Sequence, residues 1–544
     1  MSVHPSAMGQ ALSPAGPNPV PAECTCVRYT DLPHFSSLFA DFIYHPDRVR
    51  SFYPHITADL AAIAPEINFS PERRRDLVAA LRPLNPDNPA LDVLAREGAV
   101  AIVTGQQVGL FSGPAYTIYK ALTAVKLARD LAARGVPAVP IFWLATEDHD
   151  FAEVNHCWVF DGAHQPIQLE KTHSPASTQP VGQFVLTAPP VAELRAVLAA
   201  FPFGGEISTL VAEAYPPGRT MGEAFSALLH RLLPRYGLLH VDPMQPAVRE
   251  LAAPALRRAI EAAPDLTTAV LARNRELRAA GYHAQVHVED QTSLVFLLEN
   301  GRRYALRRHG RDYLQNSRRF SSEELMDRAA QLSPNALLRP VVQDSILPTL
   351  AYVGGPAELA YLAQSEVIYR AILGRVPAAV HRSSFTLLDQ RSAKIMRRYS
   401  LSLADCAHGG EAVRERIASR LIPPALAGSM AQTTAAVEQA VGRLARDLAG
   451  FDASLAAALD TSRRKMLYQL SKMDRKIGRE TMARDARVAR DAAYLSNLVY
   501  PHRHPQERLY SILPFLARHG VGLIDSLYEC LNLACPDHQL ATLA

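Results

Sequence analysis

Residues 99–146 read AVAIVTGQQVGLFSGPAYTIYKALTAVKLARDLAARGVPAVPIFWLAT, and this stretch decides the fold class. Residues 99–104 form a short apolar run, residues 116–135 have helical spacing that ends in a glycine, and residues 136–146 form a second apolar run. This order predicts a βαβ unit with two parallel strands. We therefore predict an α/β fold with a Rossmann-like core, whose ligand pocket lies at the edge where both strands end.

The loop TGQQVGLFSGP, residues 104–114, joins the first predicted strand to the helix. Its three glycines allow backbone amides to approach a ligand, and its last residue, a proline, marks a helix N-terminus, which attracts anions. We expect phosphate or carboxylate here, and the two glutamines suit a sugar or an amino acid. A tight structural turn is the alternative. The predicted substrate contacts are Thr104, Gly105, Gln106, Gln107, Gly109 and Gly113.

Tyr116 and Lys120 lie four residues apart on the predicted helix, so their side chains share one face. We predict that Tyr116 contacts the substrate and that Lys120 is a catalytic residue, with a solvated Lys120 as the alternative. The GxGxxG pattern of dinucleotide-binding proteins is absent, which disfavours NAD.

A second polar cluster, TEDHDFAEVNH at residues 146–156, directly follows the second predicted strand. Four consecutive ionisable groups cannot all be buried, so we expect some of them in a wet cleft, where Glu147 contacts the substrate. Carboxylates here would also suit Mg²⁺ accompanying a nucleotide. Helix capping and a zinc site of His149, Asp150 and His156 are alternatives, but that spacing fits no usual zinc pattern, so no dedicated metal site is predicted. The predicted acid/base residues are Asp148, His149 and Asp150.

A second glycine-proline helix start, YVGGPAELAYLAQ at residues 352–364, mirrors the first and is preceded by LRPVVQD at residues 338–344. Two such starts in one α/β domain suggest two walls of one pocket. The arginine would clamp a carboxylate and the aspartate would hold an amine, although a structural ion pair is equally open. The predicted substrate contacts are Arg339, Gln343, Asp344, Gly354, Gly355, Glu358 and Tyr361.

Length and charge limit the class of protein. The chain has 544 residues, too many for one hydrophobic core, and its 57 basic and 53 acidic residues argue against nucleic-acid binding. No apolar run reaches the roughly 18 residues of a membrane span, and residues 1–22 resemble a disordered tail rather than a secretion signal. We expect a cytoplasmic protein that acts on small molecules, with no nucleic-acid or membrane partner, whose six cysteines do not form a disulfide framework.

The α/β pattern is interrupted twice by β-rich insertions, and after about residue 384 it gives way to helical sequence rich in alanine, arginine and leucine. The predicted segments are a disordered tail 1–22, core 23–158, connecting insertion 159–215, core 216–281, connecting insertion 282–335, core 336–384, a coiled-coil arm 385–500 and a helical cap 501–544.

The arm shows the heptad spacing of a coiled coil between residues 437 and 455. A second helix, from about residue 461 to residue 500, repeats the pattern less regularly, which predicts an antiparallel helical hairpin. Dimerisation through this arm and packing of the arm on its own core are both open. The seam positions are Val437, Val441, Leu444, Leu448, Phe451 and Leu455.

Five motifs in order identify a family. They are TGQQVGLFSGPAYTIYK, PIFWLATEDHDFAEVNH, GYHAQVHV, LRPVVQDSILPTLAYVGGPAELAY and HPQERLYSILPFL. Together they resemble the cysteine ligases of bacillithiol biosynthesis, called BshC, over nearly the whole chain after the tail. The resemblance implies the last step of that synthesis, in which the carboxyl group of L-cysteine is joined to the amine of glucosaminyl malate. It also implies a Rossmann-like core with two connecting insertions and a coiled coil that forms a homodimer.

Amide formation from a free carboxylate is uphill in water, so such a ligase would activate cysteine with ATP, with Mg²⁺ as a possible companion. We expect the amides of residues 105–113 to stabilise negative charge, Gln106, Gln107 and Glu358 to hold the sugar and amine, and Tyr116 and Lys120 to contact malate or phosphate. No P-loop is present. A non-catalytic sugar-thiol or nucleotide binding partner of another ligase, or a ligase for a related amine acceptor, is the alternative.

Overall fold

The computed structural model describes residues 22–33, 35–171, 178–449, 451–483 and 486–544. The predicted disordered tail, residues 1–22, lies outside the described residues except for its last position. The part of the chain that is described contains no helix long and apolar enough to cross a membrane.

The elements are numbered here in chain order. The strands are β1 Ala22–Val27, β2 Val100–Gln106, β3 Ala138–Leu144, β4 His156–Phe160, β5 Pro166–Glu170, β6 Leu239–Val241, β7 Thr292–Glu299, β8 Arg302–His309, β9 Asp312–Gln315, β10 Arg318–Ser321, β11 Leu332–Pro334, β12 Thr349–Gly354, β13 Ala378–His381, β14 Phe385–Leu388 and β15 His538–Leu543. The helices are α1 Ser37–Tyr44, α2 Pro46–Val49, α3 Leu60–Ile63, α4 Pro71–Leu81, α5 Ala90–Leu94, α6 Tyr116–Ala133, α7 Phe151–Val154, α8 Val191–Leu198, α9 Gly204–Ala214, α10 Met221–Leu232, α11 Pro246–Glu261, α12 Ala263–Ala279, α13 Ser322–Asp327, α14 Arg339–Ile346, α15 Pro356–Leu373, α16 Gln390–Arg398, α17 Leu403–Cys406, α18 Gly410–Leu421, α19 Pro424–Ala449, α20 Ala453–Ala483, α21 Ala486–Val499, α22 Gln506–Leu509, α23 Leu513–His519 and α24 Leu523–Cys530.

The central sheet has five parallel strands in the order β13-β12-β2-β3-β6, which confirms the predicted Rossmann-like core. Successive residues of β2 face opposite sides of the sheet. Val100 and Ile102 pack with α6, whereas Ala101 and Val103 pack in the core that contains α11 and α15. Because helices cover both faces, the strand sequences are apolar throughout rather than alternating.

The strand order places the pocket. Strand β3 pairs with β2 on one side and β12 pairs with it on the other, so the loops that follow these strands lead away from β2 in opposite directions. The carboxyl ends of β2, β3 and β12 therefore meet at one edge, as expected of a topological switch point.

The two insertions differ from each other. The first begins as a two-stranded hairpin, β4 with β5, and continues as helices α8 and α9. The second forms a five-stranded antiparallel sheet in the order β10-β9-β8-β7-β11, as a β-rich insertion requires. Its strand β8 delivers a side chain to the pocket, which is described below.

The arm is a helical hairpin of α19 packed on α20, in agreement with the predicted antiparallel arrangement. The predicted seam from residue 437 to residue 455 does not lie on one helix, because α19 ends at Ala449 and α20 begins at Ala453. Phe451 lies in the turn between them and is 82% exposed. The heptad spacing of apolar residues runs on through the turn, so the sequence pattern alone does not distinguish two helices joined by a turn from one continuous helix.

The end of the chain is not purely a helical cap. Strand β15 pairs with β1 on one side and with β14 on the other. The C-terminal segment is therefore bound to the N-terminal strand and to the strand that follows the core. The structure also joins these segments by disulfides Cys24–Cys530 and Cys26–Cys535, contrary to the expectation of no disulfide framework. The pairing of β15 with β1 and the two disulfides depend on contacts across about 500 residues, which no local pattern indicates.

A buried ion pair connects the core to this terminal segment. Arg382 follows β13, and its guanidinium donates to both carboxylate oxygens of Glu507, at 2.9 and 2.6 Å. Ser384 Oγ and the backbone N–H of Phe385 donate to the same carboxylate. Burial would raise the pKa of Glu507, but Arg382 holds it below its ordinary range. The pair is therefore charged and hydrogen-bonded inside the protein.

Replacing Glu507 should destabilise the fold. In Glu507→Gln the buried Arg382 loses its counter-charge, and we expect the free energy of unfolding to fall by about 3 kcal/mol. Urea unfolding followed by circular dichroism measures this loss. Glu529→Gln, at an exposed position in the same terminal segment, is the control and should unfold like the wild type. Equal stability of Glu507→Gln and the wild type would contradict the assignment.

Candidate active site

A cavity of about 860 Å³ opens at the carboxyl edge of the central sheet. Its walls come from the ends of β2 and β3, the start of α6, the second insertion, the starts of α14 and α15, and the terminal segment. The lining residues are Gly105, Gln106, Gln107, Tyr116, Trp143, Ala145, Glu147, Asp148, His149, Asp150, Glu153, Val286, Phe296, Arg303, Pro334, Asn335, Ala336, Arg339, Tyr352, Gly355, Pro356, Ala357, Glu358, Tyr361, Arg382 and Arg508.

Most of the predicted site residues line this one cavity, and both glycine-proline helix starts border it. The predicted residues that line it are Gly105, Gln106, Gln107, Tyr116, Glu147, Asp148, His149, Asp150, Arg339, Gly355, Glu358 and Tyr361. The predicted residues that do not line it are Thr104, Gly109, Gly113, Lys120, Gln343, Asp344 and Gly354.

The glycine-rich loop is a packed turn and not an anion cradle along its whole length. Residues 110–112 are buried, and three of the amides that were expected to bind an anion already have partners, as does the amide of Ala115. These bonds run from Gly109 N to Gln107 O at 2.9 Å, from Phe111 N to Tyr215 Oη at 3.0 Å, from Gly113 N to Leu110 O at 3.0 Å and from Ala115 N to Tyr510 O at 2.7 Å. The alternative of a structural turn is therefore right for residues 109–113.

Three small or polar residues at the ends of this loop have packing roles. At Gly105 a Cβ atom would lie 2.8 Å from the carbonyl oxygen of Trp143, so only glycine allows β2 and β3 to approach there. Gly113 has a φ of 62°, which favours glycine. Thr104 is fully buried and donates its hydroxyl to the carbonyl of Val353 at 2.8 Å, across to the neighbouring strand.

Lys120 is buried beneath the cavity, so both the predicted catalytic contact and the solvated alternative are wrong. Its Nζ pairs with Glu358 Oε2 at 2.6 Å and also donates to the carbonyl of Gly105 and, at 3.2 Å, to Gln106 Oε1. Glu358 in turn accepts from Tyr352 Oη at 2.7 Å. The ion pair thus joins helix α6 to helix α15 and holds the two helix starts at the cavity.

Glu358 also caps its own helix. Its Oε2 accepts from the backbone N–H of Gly355 at 2.9 Å, which is why the helix starts at this turn. Burial would raise the pKa of Glu358, but Lys120 lowers it below its ordinary value. Glu358 therefore presents a fixed negative charge at the floor of the site.

Asp344 does not reach the cavity and cannot hold an amine there. It is buried, and its carboxylate accepts from Thr349, Gln343 and Tyr369. Only Arg339 of that motif lines the cavity, where it donates to Tyr361 Oη at 3.0 Å. Because α14 begins at Arg339, the aspartate five residues later faces the protein interior.

The acidic wall is formed by the segment after β3. Gln107 Nε2 donates to Asp148 Oδ2 at 2.7 Å and to Glu153 Oε2 at 2.9 Å, which links the end of β2 to this wall. Asp150 accepts from the backbone N–H of Glu153 and caps the short helix α7, so the capping alternative holds for this residue. Glu147 is buried and pairs with Arg249 at 3.2 Å.

Three arginines of the cavity were missed by reasoning from the sequence. Arg303 comes from β8 in the second insertion, Arg382 follows β13, and Arg508 belongs to α22. The HPQER motif that contains Arg508 was a usable signal for the last of these, since it was among the recognisable motifs. Arg508 is exposed and makes no ion pair with any residue in the described ranges, and its guanidinium lies 5.9 Å from the ring centre of Tyr116.

The cavity therefore carries charges of both signs. Asp148, Asp150 and Glu153 form one group, called here the acidic wall, and Arg382 and Arg508 flank Tyr116 and form another, called the basic wall. Among the described residues no group of three or more His, Cys, Asp or Glu side chains is placed to hold a metal ion. His156, part of the zinc alternative, instead pairs through Nδ1 with the side chain of Asn155 at 3.0 Å.

Comparison with known proteins finds similarity along nearly the whole chain. Residues 22–383 match the family "Bacillithiol biosynthesis BshC, N-terminal Rossmann-like domain", and residues 385–543 match "Bacillithiol biosynthesis BshC, C-terminal coiled-coil domain". A protein of Solibacter usitatus named "Putative cysteine ligase BshC" is 61% identical over 520 residues, which cover 95% of this chain and 99% of that protein. Proteins of the same name from Koribacter versatilis and Salinibacter ruber are 35% and 29% identical, and they cover 95% and 93% of this chain and 99% and 96% of their own lengths.

Protonation of Glu147 should make the free energy of unfolding depend on pH. Burial raises its pKa to about 7, although Arg249 lowers it. Because the folded chain holds this proton more tightly than the unfolded chain, the stabilisation is complete below the ordinary pKa of 4.5 and is lost as the pH rises through about 7. Glu147→Gln has no such proton to lose. Between about pH 5 and about pH 8 its free energy of unfolding should therefore rise by about 2 to 3 kcal/mol relative to the wild type.

Urea unfolding of both proteins at the two pH values measures the difference, and the exposed Glu529→Gln variant controls for the substitution itself. A wild type and a Glu147→Gln variant that respond equally to pH would show that Glu147 is ionised throughout this range.

Proposed function

This chain belongs to the BshC family of bacillithiol biosynthesis, and we propose that it is a ligase that joins the carboxyl group of L-cysteine to the amine of glucosaminyl malate. The observation that supports this best is the presence of an acidic group and a basic group of side chains in one cavity. An amino sugar that carries malate has a basic nitrogen at one end and two carboxylates at the other, so its two ends match the two groups. The cavity volume also suits a ligand of this size.

The basic wall receives the malate. Arg508 has no competing ion pair among the described residues, so its guanidinium is available for a carboxylate in bidentate geometry. Arg382 is already paired with Glu507, so it is not free to form an ion pair with the ligand. It contributes positive electrostatic potential and holds the neighbouring Tyr116 in position. Tyr116 lies between them, within 5.1 Å of Arg382, and packs against the acceptor.

The acidic wall receives the amine. Asp148 is held by Gln107 and Arg303, so its carboxylate has a defined position from which to orient the nitrogen. We assign proton removal to Glu147, since a carboxyl group whose pKa lies near 7 both accepts and releases a proton at neutral pH. Asp150 and Glu153 complete the negative field and supply oxygen ligands of the type that Mg²⁺ prefers.

The reaction requires activated cysteine, and ATP is the proposed source of activation. A cysteine carboxylate oxygen attacks a phosphorus atom of ATP, which gives an acyl phosphate with release of ADP or an acyl adenylate with release of pyrophosphate. The amine nitrogen then attacks the acyl carbon, phosphate or AMP leaves with the electron pair of the broken C–O bond, and the nitrogen loses its proton. Because ATP and free cysteine are cytoplasmic metabolites, we propose a cytoplasmic location.

Purified protein with L-cysteine, glucosaminyl malate, Mg²⁺ and ATP should form the amide without any helper, as detected by mass spectrometry of the product. Arg508→Gln should raise the KM for glucosaminyl malate about 10- to 100-fold, because the charged, bidentate contact with a carboxylate is lost. Asp148→Asn should lower kcat.

Arg503→Gln, an exposed arginine of the same segment that does not line the cavity, is the matched control and should keep the wild-type KM. Absence of product with tight binding of glucosaminyl malate would favour a binding partner of another ligase. Turnover of a different amino sugar in preference to glucosaminyl malate would favour a related acceptor.

We further propose that the arm forms a homodimer. Within the described part of the chain, large apolar side chains on both helices of the hairpin are exposed, including Leu444 at 48% and Leu455 at 44%. Met466, Tyr468 and Met473 on α20 are exposed as well. Burial of such side chains against a second copy of the hairpin would stabilise a dimer.

Light scattering at micromolar concentration should therefore give about twice the chain mass of 59.5 kDa. Leu444→Glu combined with Leu455→Glu should give the monomer mass, because two charges would be buried without partners in the interface. Arg443→Glu, a charge change at an exposed neighbouring position, should remain dimeric. A monomeric wild type would contradict the proposal.

A further inference from the structure

One contact in the cavity determines which nitrogen of His149 carries its proton. Arg303 Nη1 lies 3.1 Å from His149 Nδ1. A guanidinium group donates hydrogen bonds and has no acceptor. For this contact to be a hydrogen bond, Nδ1 must be the unprotonated nitrogen of the ring, and the proton of the neutral imidazole must therefore be on Nε2.

Arg303 is held so firmly that it cannot turn away from the ring. It is buried, its Nε donates to Ser333 Oγ at 3.0 Å, and its Nη2 donates to the carbonyl of Pro334 at 2.8 Å. Its guanidinium carbon lies 3.8 Å from the ring centre of Phe296. These contacts orient the guanidinium plane independently of His149. The N–H donor of Arg303 therefore favours the tautomer of His149 in which Nδ1 is unprotonated.

The other ring nitrogen is available to a ligand. His149 lines the cavity, and its side chain is 33% exposed. Its Nε2 makes no hydrogen bond with any residue in the described ranges, where the ring bonds only through Nδ1. We infer that Arg303 is a positioning residue that holds His149 neutral with its proton on Nε2, so that His149 presents an N–H donor to the ligand in the cavity.

The groups that face the ring favour this arrangement. Asp148 Oδ1 lies 3.6 Å from Nδ1, which is farther than Arg303 Nη1, and the same oxygen already accepts from the backbone N–H of His149 at 2.7 Å. Asp150 lies next along the chain, and Phe296 packs at 5.9 Å from the ring. Burial and Arg303 lower the pKa of His149, and the two aspartates oppose them only in part. The ring is therefore neutral at physiological pH.

This assignment deepens the proposed function and, in this respect, rests on it. In an amide-forming reaction a neutral imidazole N–H would donate to the acyl oxygen of activated cysteine, where negative charge develops as the amine attacks. The same nitrogen then cannot accept the proton of the amine. The sequence predicts His149 as one of three acid/base residues. In this arrangement it donates a hydrogen bond instead, so a carboxylate removes the proton of the amine.

The tautomer can be observed directly and without any substrate. In full-length protein labelled with ¹⁵N-histidine, a long-range ¹H–¹⁵N spectrum distinguishes a protonated from an unprotonated ring nitrogen. The signal of His149 among the 19 histidines is the one missing from His149→Gln. We expect an unprotonated Nδ1 and a protonated Nε2 at pH about 7.5. An unprotonated Nε2, or a doubly protonated ring, would overturn the inference.

Two variants test the role of Arg303. Arg303→Leu removes the donor at similar apolar bulk, so the His149 signals should show a mixture of tautomers and the ring should become protonated at a higher pH. Arg302→Leu removes the neighbouring arginine, which is exposed, and should leave both properties unchanged. If Arg303→Leu does not fold, Arg303→Lys keeps a donor and a charge and should retain the wild-type tautomer with a changed chemical shift. An unchanged tautomer in a folded Arg303→Leu would contradict the positioning role.

The spectrum tests the inference about His149, and the ligase assay tests the proposed function, so the two can be contradicted independently. The expected tautomer in a protein that forms no amide would contradict the proposed function while leaving the state of His149 as inferred. Amide formation by a protein whose His149 carries its proton on Nδ1 would do the reverse. In an active protein, Arg303→Leu should move the acid limb of the pH profile of kcat to higher pH, a change that a purely structural role would not produce.

Discussion

The parallel pairing of β2 with β3 on one side and with β12 on the other is the constraint on which the site depends. Three strands that run in the same direction must end at the same edge, so segments more than 200 residues apart in the chain meet there. Gly105 is part of this constraint, since its lack of a side chain allows β2 to approach Trp143 closely.

Two buried ion pairs then hold the walls in place. Lys120 and Glu358 join the helices that follow β2 and β12, and Arg382 and Glu507 join the end of the core to the terminal segment. A buried charge without its partner is costly, so each pair restricts the relative position of the elements it connects. Lys120, which looks like a reactant in the sequence, thus serves to position the cavity, while its partner Glu358 both lines the cavity and fixes the helix start.

The charged residues of the cavity come from different parts of the chain. Four of the five acidic lining residues come from one continuous stretch after β3, and the fifth, Glu358, comes from α15. The four arginines come from four separate places: β8, α14, the end of β13 and α22. Arg303 contacts both Asp148 and His149, so the second insertion acts on the chemistry of a segment with which it shares no local sequence.

Local pattern was sufficient for the βαβ unit, the helical hairpin and the candidate residues after β2 and β3, because strand and helix periodicity and turn residues are properties of neighbouring positions. Only the tertiary structure decided that Lys120 is buried, that Gly109 and Gly113 pack a turn, and that Asp344 faces the interior, since burial depends on what covers a residue. It also decided that β15 pairs with β1 and that Arg303, Arg382 and Arg508 complete the cavity. Contacts between residues hundreds of positions apart leave no periodic trace in a single sequence, and the physical chemistry of this site is made mostly of such contacts.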